Sequence, residues 1–133
     1  MNNETIFCLG NTDFGSDTPV GKDHLMAQYA KSNQVVMFNV SGSRAPTLSR
    51  AYDINRLIRK VLKWFMLPKR LNNITVVYPI RFPFVGNKII DNINNRILYF
   101  YLAYYKKKFF SKSPIIITLS PFYNNAIKRV KPK

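Results

Sequence analysis

Residues Glu4–Val40 read ETIFCLGNTDFGSDTPVGKDHLMAQYAKSNQVVMFNV, and this stretch decides the fold. Thr5 to Leu9 is a short apolar run, Gly10 to Gly21 a turn-rich loop, Lys22 to Lys31 a helical pattern, and Gln34 to Val40 a second apolar run. A strand, loop, helix and strand in that order place two parallel strands side by side, joined by a right-handed crossover. In open α/β sheets ligands sit in the crevice outside the carboxyl ends of the strands. The loop leaving the first strand, Gly10 to Gly21, therefore falls where binding chemistry is expected.

Working outward, the first helix follows Asp17-Thr18-Pro19, with Asp17 or Thr18 as cap and Pro19 in the first turn. Its Leu25, Met26, Tyr29 and Ala30 recur at the spacing of a face laid on a sheet. Val35-Val36-Met37-Phe38 lacks alternation, as a strand buried on both faces does. Ser41 to Arg50 is a second loop at the same sheet end. Asp53 to Phe65 places Ile54, Leu57, Ile58, Val61, Leu62 and Phe65 on one helical face, and Arg56, Arg59, Lys60 and Lys63 mostly on the other. Two readings stand for this basic amphipathic helix: a cover for the sheet, or a helix lying on anionic lipid with Trp64 near the interface.

Leu67-Pro68 stops that helix, and Ile74 to Tyr78 forms a third strand, ended by Pro79. Arg81-Phe82-Pro83-Phe84 with Gly86 is an aromatic loop at the carboxyl edge. Ile89 to Phe110 reads as a long helix with Ile90, Ile93, Ile97, Tyr101 and Tyr104 near one face. Lys106-Lys107-Lys108 at its end suit the helix macrodipole. Ile115 to Leu119 is a fourth strand, and Pro121 to Val130 a final short helix. About four mainly parallel strands with intervening helices predict a single α/β domain over residues 1–133, Rossmann-like and doubly wound.

The chain carries 21 Lys and Arg against 6 Asp and Glu, a formal charge of +15, which favours anionic partners. Up to Val40 the acids Glu4, Asp13, Asp17 and Asp23 outnumber Lys22 and Lys31; beyond it only Asp53 and Asp91 oppose the cations. Cys8 is the sole cysteine, so neither an internal disulfide nor a cysteine-based metal site can form, and it reads as a small buried hydrophobe. No basic segment followed by an apolar run opens the chain. The longest apolar segment, Ile97 to Tyr105, is about half the roughly 20 residues a spanning helix needs. The expectation is a cytoplasmic protein, peripheral at most to the inner membrane face.

Neither Gly-x-Gly-x-x-Gly nor the P-loop pattern is present, which disfavours a dinucleotide-binding dehydrogenase and a P-loop nucleotidase. One His and one Cys cannot build a zinc site, and no Asp-x-Asp pair is available to hold a cation against a diphosphate; no metal or cofactor is expected. In the first loop, Asn11, Asp13 and Ser16 offer hydrogen-bonding groups for a hydroxyl-rich ligand, while Gly10 and Gly15 permit close backbone approach. Asp13 is a candidate general base if it lies in a cleft; the same residues equally serve as turn formers. Lys22 and His24 sit in the first helical turn, where an anionic group is favoured, although a lone His there is commonly a packing residue.

The order Thr5-Ile-Phe-Cys-Leu-Gly10, a Gly/Ser/Asp loop, Gly21, His24-Leu25, Tyr29-Ala30 and Gln34-Val35 resembles the amino-terminal part of GT-B glycosyltransferases. It is most similar to bacterial cell-surface polysaccharide enzymes with a glycosyltransferase-4-like first domain. Tyr78 to Pro83 resembles the Pro-rich stretch after that family's third strand, and Ile115 to Pro121 its next strand and turn. The resemblance implies transfer of a sugar from a nucleotide-sugar to a lipid-linked or polysaccharide acceptor, without an obligatory metal. It implies an acceptor site formed by Gly10, Asn11, Phe14, Gly15, Ser16, Lys22 and His24, with Asp13 catalytic, and membrane contact through Arg56, Arg59, Lys60, Lys63 and Trp64. The family's nucleotide-sugar domain has no counterpart in the sequence, so an incomplete GT-B half, inactive alone, is the expectation. The alternative is a non-enzymatic basic module that holds nucleic acid or anionic membrane.

Overall fold

The computed structural model describes residues 3–10, 21–40, 51–82, 86–109, 113–118 and 123–132; within 51–60 it describes the side chains of Asn55, Ile58 and Arg59. The elements are β1 (Thr5–Gly10), α1 (Gly21–Tyr29), β2 (Gln34–Asn39), α2 (Ala51–Trp64), β3 (Lys69–Leu71), β4 (Ile74–Val77), α3 (Lys88–Lys108), β5 (Ile115–Thr118) and α4 (Asn124–Val130). They form one sheet in the order β3-β4-β2-β1-β5. The four apolar runs expected from the sequence are its parallel strands: β1 lies between β2 and β5, and β2 pairs β4 on its other edge.

The fifth strand was not expected. Lys69–Leu71 pairs antiparallel with β4 through a tight turn in which Asn72 adopts φ 52°, the left-handed conformation such turns demand and asparagine tolerates. All three residues of β3 are exposed, and a short cationic strand is one way an edge avoids further pairing.

The sheet separates two cores, which is why its strands read as unbroken apolar runs. Phe7, Leu9, Val36, Phe38 and Val77 face Leu98, Leu102 and Tyr105 of α3, and Tyr123, Ala126 and Val130 at and in α4. Ile6, Cys8, Val35, Met37, Ile74 and Val76 face Met26 of α1 and Ala30 beyond it. Cys8 is buried, as expected, and burial pushes its thiol up to about 11, so the residue packs rather than reacts. Asn33 and Asn73 tie the amino edge, donating to the carbonyls of Tyr29 and Ala30 at 2.9 Å each.

Three helices depart in part from their expected faces. The buried stripe of α3 is Asn94, Leu98, Leu102 and Tyr105, whereas Ile93 and Tyr104 of the predicted stripe lie exposed with Ile89 and Phe100. On α2 and just beyond it, Ile58, Leu62, Phe65 and Leu67 are exposed, while Val61 is half-buried. Leu25 of α1 is likewise exposed, leaving Met26 and Ala30 as the contacts. Among the described residues no helix is long and apolar enough to cross a membrane.

Candidate functional site

The chain steps outward from β1 to β2 and β4, then returns across the sheet to place β5 on the other side of β1. A reversal of that kind splays the connections apart at the carboxyl ends and opens a crevice there. Gly10, Asn39, Val77 and Thr118 end the four parallel strands at this edge. Polar side chains gather on both sides of it.

On the α1 side, Asn39 stands opposite Gly10 in register. A Cβ at Gly10 would meet Lys22 Nζ at 2.6 Å, so the glycine lets the Lys22 side chain lie across the end of β1. Lys22 Nζ is 3.9 Å from Asp23 Oδ1. Asp23 and Asn39 are buried, yet among the described residues neither carboxylate oxygen of Asp23 nor either amide atom of Asn39 has a hydrogen-bond partner. Buried polar groups are nearly always partnered, so these atoms are an exception among the described residues.

On the α3 and α4 side a cavity of about 210 Å³ is lined by Val40, Pro79, Arg81, Asn94, Asn95 and Tyr123, among others. Asn94 builds its wall by clamping the backbone of Phe82: Phe82 N donates to Asn94 Oδ1 at 2.8 Å, and Asn94 Nδ2 donates to Phe82 O at 3.0 Å. That clamp fixes the strand exit carrying Arg81, whose Nη1 donates to Tyr123 Oη at 2.8 Å while its guanidinium lies 5.3 Å from the Tyr123 ring centroid. Asn95 Nδ2 donates to Asp91 O at 2.9 Å. Among the described residues, two buried atoms of the lining side chains have no partner, the donor Arg81 Nε and the acceptor Asn95 Oδ1. A hydroxyl both donates and accepts, so it is the kind of group that can answer either.

Comparison with family models, curated proteins and solved structures finds no match. The geometry of this edge is therefore what bears on function.

Of the residues expected at the site, Gly10 and Lys22 meet at the end of β1, and His24 lies exposed on α1, where the adjacent Asp23 turns inward. Asn11, Asp13, Phe14, Gly15 and Ser16 fall outside the described residues. Arg59 is exposed, Lys63 and Trp64 are half-buried, and the Trp64 ring meets Phe82 edge-on at 5.7 Å; the side chains of Arg56 and Lys60 lie outside the description. No cluster of three metal-ligating side chains occurs among the described residues. Sequence reasoning did not single out Asp23, Asn39, Asn94, Asn95 or Tyr123. The one usable signal was Asn39, a polar residue closing an otherwise apolar strand.

Asn39→Leu tests whether the α1-side polar set is kept for a ligand. Replacing an unpartnered buried amide with an apolar side chain of similar shape is expected to raise unfolding stability by about 1–2 kcal/mol. Urea denaturation measures this. A loss of stability would show that Asn39 is satisfied by the protein's own groups.

Proposed function

We propose that this chain is the acceptor-binding half of a GT-B-type sugar-transfer enzyme that works at an anionic membrane surface. The observation that carries the reading is the carboxyl-edge cavity, with an unspent donor on Arg81, an unspent acceptor on Asn95 and an aromatic wall in Tyr123. Fixed side-chain amides and a guanidinium recognise hydroxyls by direction, and an aromatic wall covers the apolar face of a sugar ring. At about 210 Å³ the cavity lies below the roughly 300–1,000 Å³ of drug-sized sites and suits a single ring rather than an extended chain. Gly10, the first of the residues Gly10 to Ser16 that the resemblance places on the acceptor, ends β1 at this same edge.

In that role Arg81 and Asn95 would orient an acceptor hydroxyl, and Asn94 would act through the Phe82 backbone as a positioning residue. Donor binding falls, in GT-B enzymes, to a second nucleotide-binding domain. Attachment to the membrane is supported by α2, where exposed Ile58 and Leu62 share a helix with the cations Arg59 and Lys63, and by the exposed Phe65 and Leu67 that follow. Such helices lie in the headgroup region with the apolar face inward.

Saturation-transfer NMR of the full chain with a panel of neutral di- and trisaccharides tests the reading. At least one sugar is expected to bind saturably, and Asn95→Leu to weaken it by about tenfold, the value of one well-placed hydrogen bond in a buried site. A panel without any saturable binder, or binding indifferent to Asn95→Leu, would overturn it.

A further inference from the structure

Neither core nor cavity accounts for the outward face of α3. Ile89, Ile93, Phe100 and Tyr104 are exposed on it, and none of them lines the Arg81 cavity. At about 100° per residue they fall, with Arg96 and Lys107, within an arc of about 80° opposite the core residue Leu98. Ile89, Ile93, Arg96, Phe100, Ala103 and Lys107 follow one another at alternating steps of four and three positions, the seam spacing of one helix laid along another. The seam runs for about 27 Å at 1.5 Å per residue. Seam positions that the chain leaves in solvent over that length are a helix-sized surface without a covering helix.

The charge on this face selects among occupants. Arg96 and Lys107 are exposed within the stripe itself, and Arg96 lines a hollow of about 560 Å³ between α3 and α4 together with Ile93, Lys128 and Arg129. Among the described residues no Asp or Glu lines that hollow. Asp91, the one acid of α3, lies away from the stripe and accepts from Gly86 N at 3.2 Å. A second copy would set these cations against their own kind, in a chain of formal charge +15. A bilayer fits no better, because interfacial helices keep their cations on the polar face, whereas Arg96 stands between Ile93 and Phe100 near the centre of the apolar arc. A protein seam can meet the planar guanidinium fork with a carboxylate. Exposed aromatics grouped with an arginine are also the residue types that anchor protein interfaces.

We infer that the outward face of α3 docks an acidic amphipathic helix of another protein. Apolar side chains of that helix pack on Ile93, Phe100 and Tyr104, one carboxylate meets Arg96 at mid-seam, and flanking carboxylates meet Lys107, Lys128 and Arg129. A charged pair inside an apolar seam fixes the register of the two helices.

The probe is a fluorescein-labelled synthetic helix of about three heptads, with Leu at the seam positions, Glu at the flanking ones and a single Glu at mid-seam. The full chain is titrated against it at physiological salt and anisotropy is read. Saturable binding is expected, weakened about tenfold or more by the charge-neutral Ile93→Ser/Phe100→Ser and about fivefold by Arg96→Gln. Ile58→Ser/Leu62→Ser, on the exposed face of α2, is expected to bind within about twofold of the parent. The substituted side chains are all exposed, and urea denaturation checks that each variant folds. A peptide carrying Lys in place of every Glu is expected not to bind. Absence of saturable binding to the acidic peptide, or equal losses in the α2 and α3 double variants, would overturn the inference. Two further results would also overturn it: co-sedimentation with phosphatidylglycerol vesicles that Ile93→Ser/Phe100→Ser abolishes, which makes the stripe a lipid contact, and self-association that the same variant abolishes, which makes it an interface between copies. Because the substituted residues lie outside the Arg81 cavity, the oligosaccharide result stands or falls by itself.

Discussion

Phe38→Ala is expected to cost about 3–5 kcal/mol of unfolding stability, a large share of the roughly 5–15 kcal/mol that holds a domain together. Phe38 is fully buried on β2, which has β1 on one side and β4 on the other. Its ring meets Phe7 edge-on at 5.4 Å and Tyr105 edge-on at 5.6 Å, so one side chain joins two parallel strands to α3. Edge-to-face pairs contribute about 0.5–1.5 kcal/mol beyond the area they bury. Truncation removes both pairs and leaves a cavity in a layer that cannot collapse, because the strands are held by their ladders. Phe100→Ala is the control: on the outward stripe of α3 and 62% exposed, it is expected to stay within about 0.5 kcal/mol of the parent. Urea denaturation of both variants checks the pair, and equal costs would mean that α3 presents its other face to the sheet.

Asn94→Leu is the second large effect, at about 2–3 kcal/mol, and it reaches from the fold to the site. The amide of Asn94 is buried and satisfies both the N–H and the C=O of Phe82, groups that lie outside any strand ladder. Leucine fills a similar volume and supplies neither bond, so two backbone groups lose partners at about 1–1.5 kcal/mol each. The consequence for function follows from position. Phe82 adjoins Arg81, and once the clamp is gone the guanidinium is no longer held beside Tyr123. Oligosaccharide binding is expected to fall by more than Asn95→Leu alone produces, since the wall and its donor move together. Loss of stability with binding intact would show that the 79–82 segment is positioned by something other than Asn94.

The parallel sheet was legible because burial on both faces leaves a plain mark in sequence. Ile6 to Leu9 and Val35 to Phe38 are apolar without alternation, and Ile74 to Val77 is interrupted only by Thr75. Lys69–Leu71 carried no such mark; an edge strand of exposed residues is specified by its turn, and the Asn72-Asn73 pair was its one trace. The face of α3 was misjudged for a different reason. The helix carries two apolar stripes, and periodicity alone does not choose between Ile89, Ile93, Phe100 and Tyr104 and the stripe of Leu98, Leu102 and Tyr105. A polar residue, Asn94, belongs to the inward one because it has Phe82 to bind. The site was legible as an edge, not as residues. Its asparagines are scattered through a chain rich in that residue, and their convergence with Arg81 and Tyr123 is produced by the packing of α3 and α4, which no local pattern records.

The central claim, that the carboxyl-edge cavity is a sugar site, is tested most directly by mapping amide and side-chain shift changes in the isotope-labelled full chain as an oligosaccharide that it binds is titrated in. The account predicts changes that saturate together at Arg81, Asn94, Asn95 and Tyr123, with Ser32, Asn33 and Asn73 at the amino edge of the sheet unmoved. Changes centred on the amino edge, or spread over exposed lysines without saturation, would contradict it.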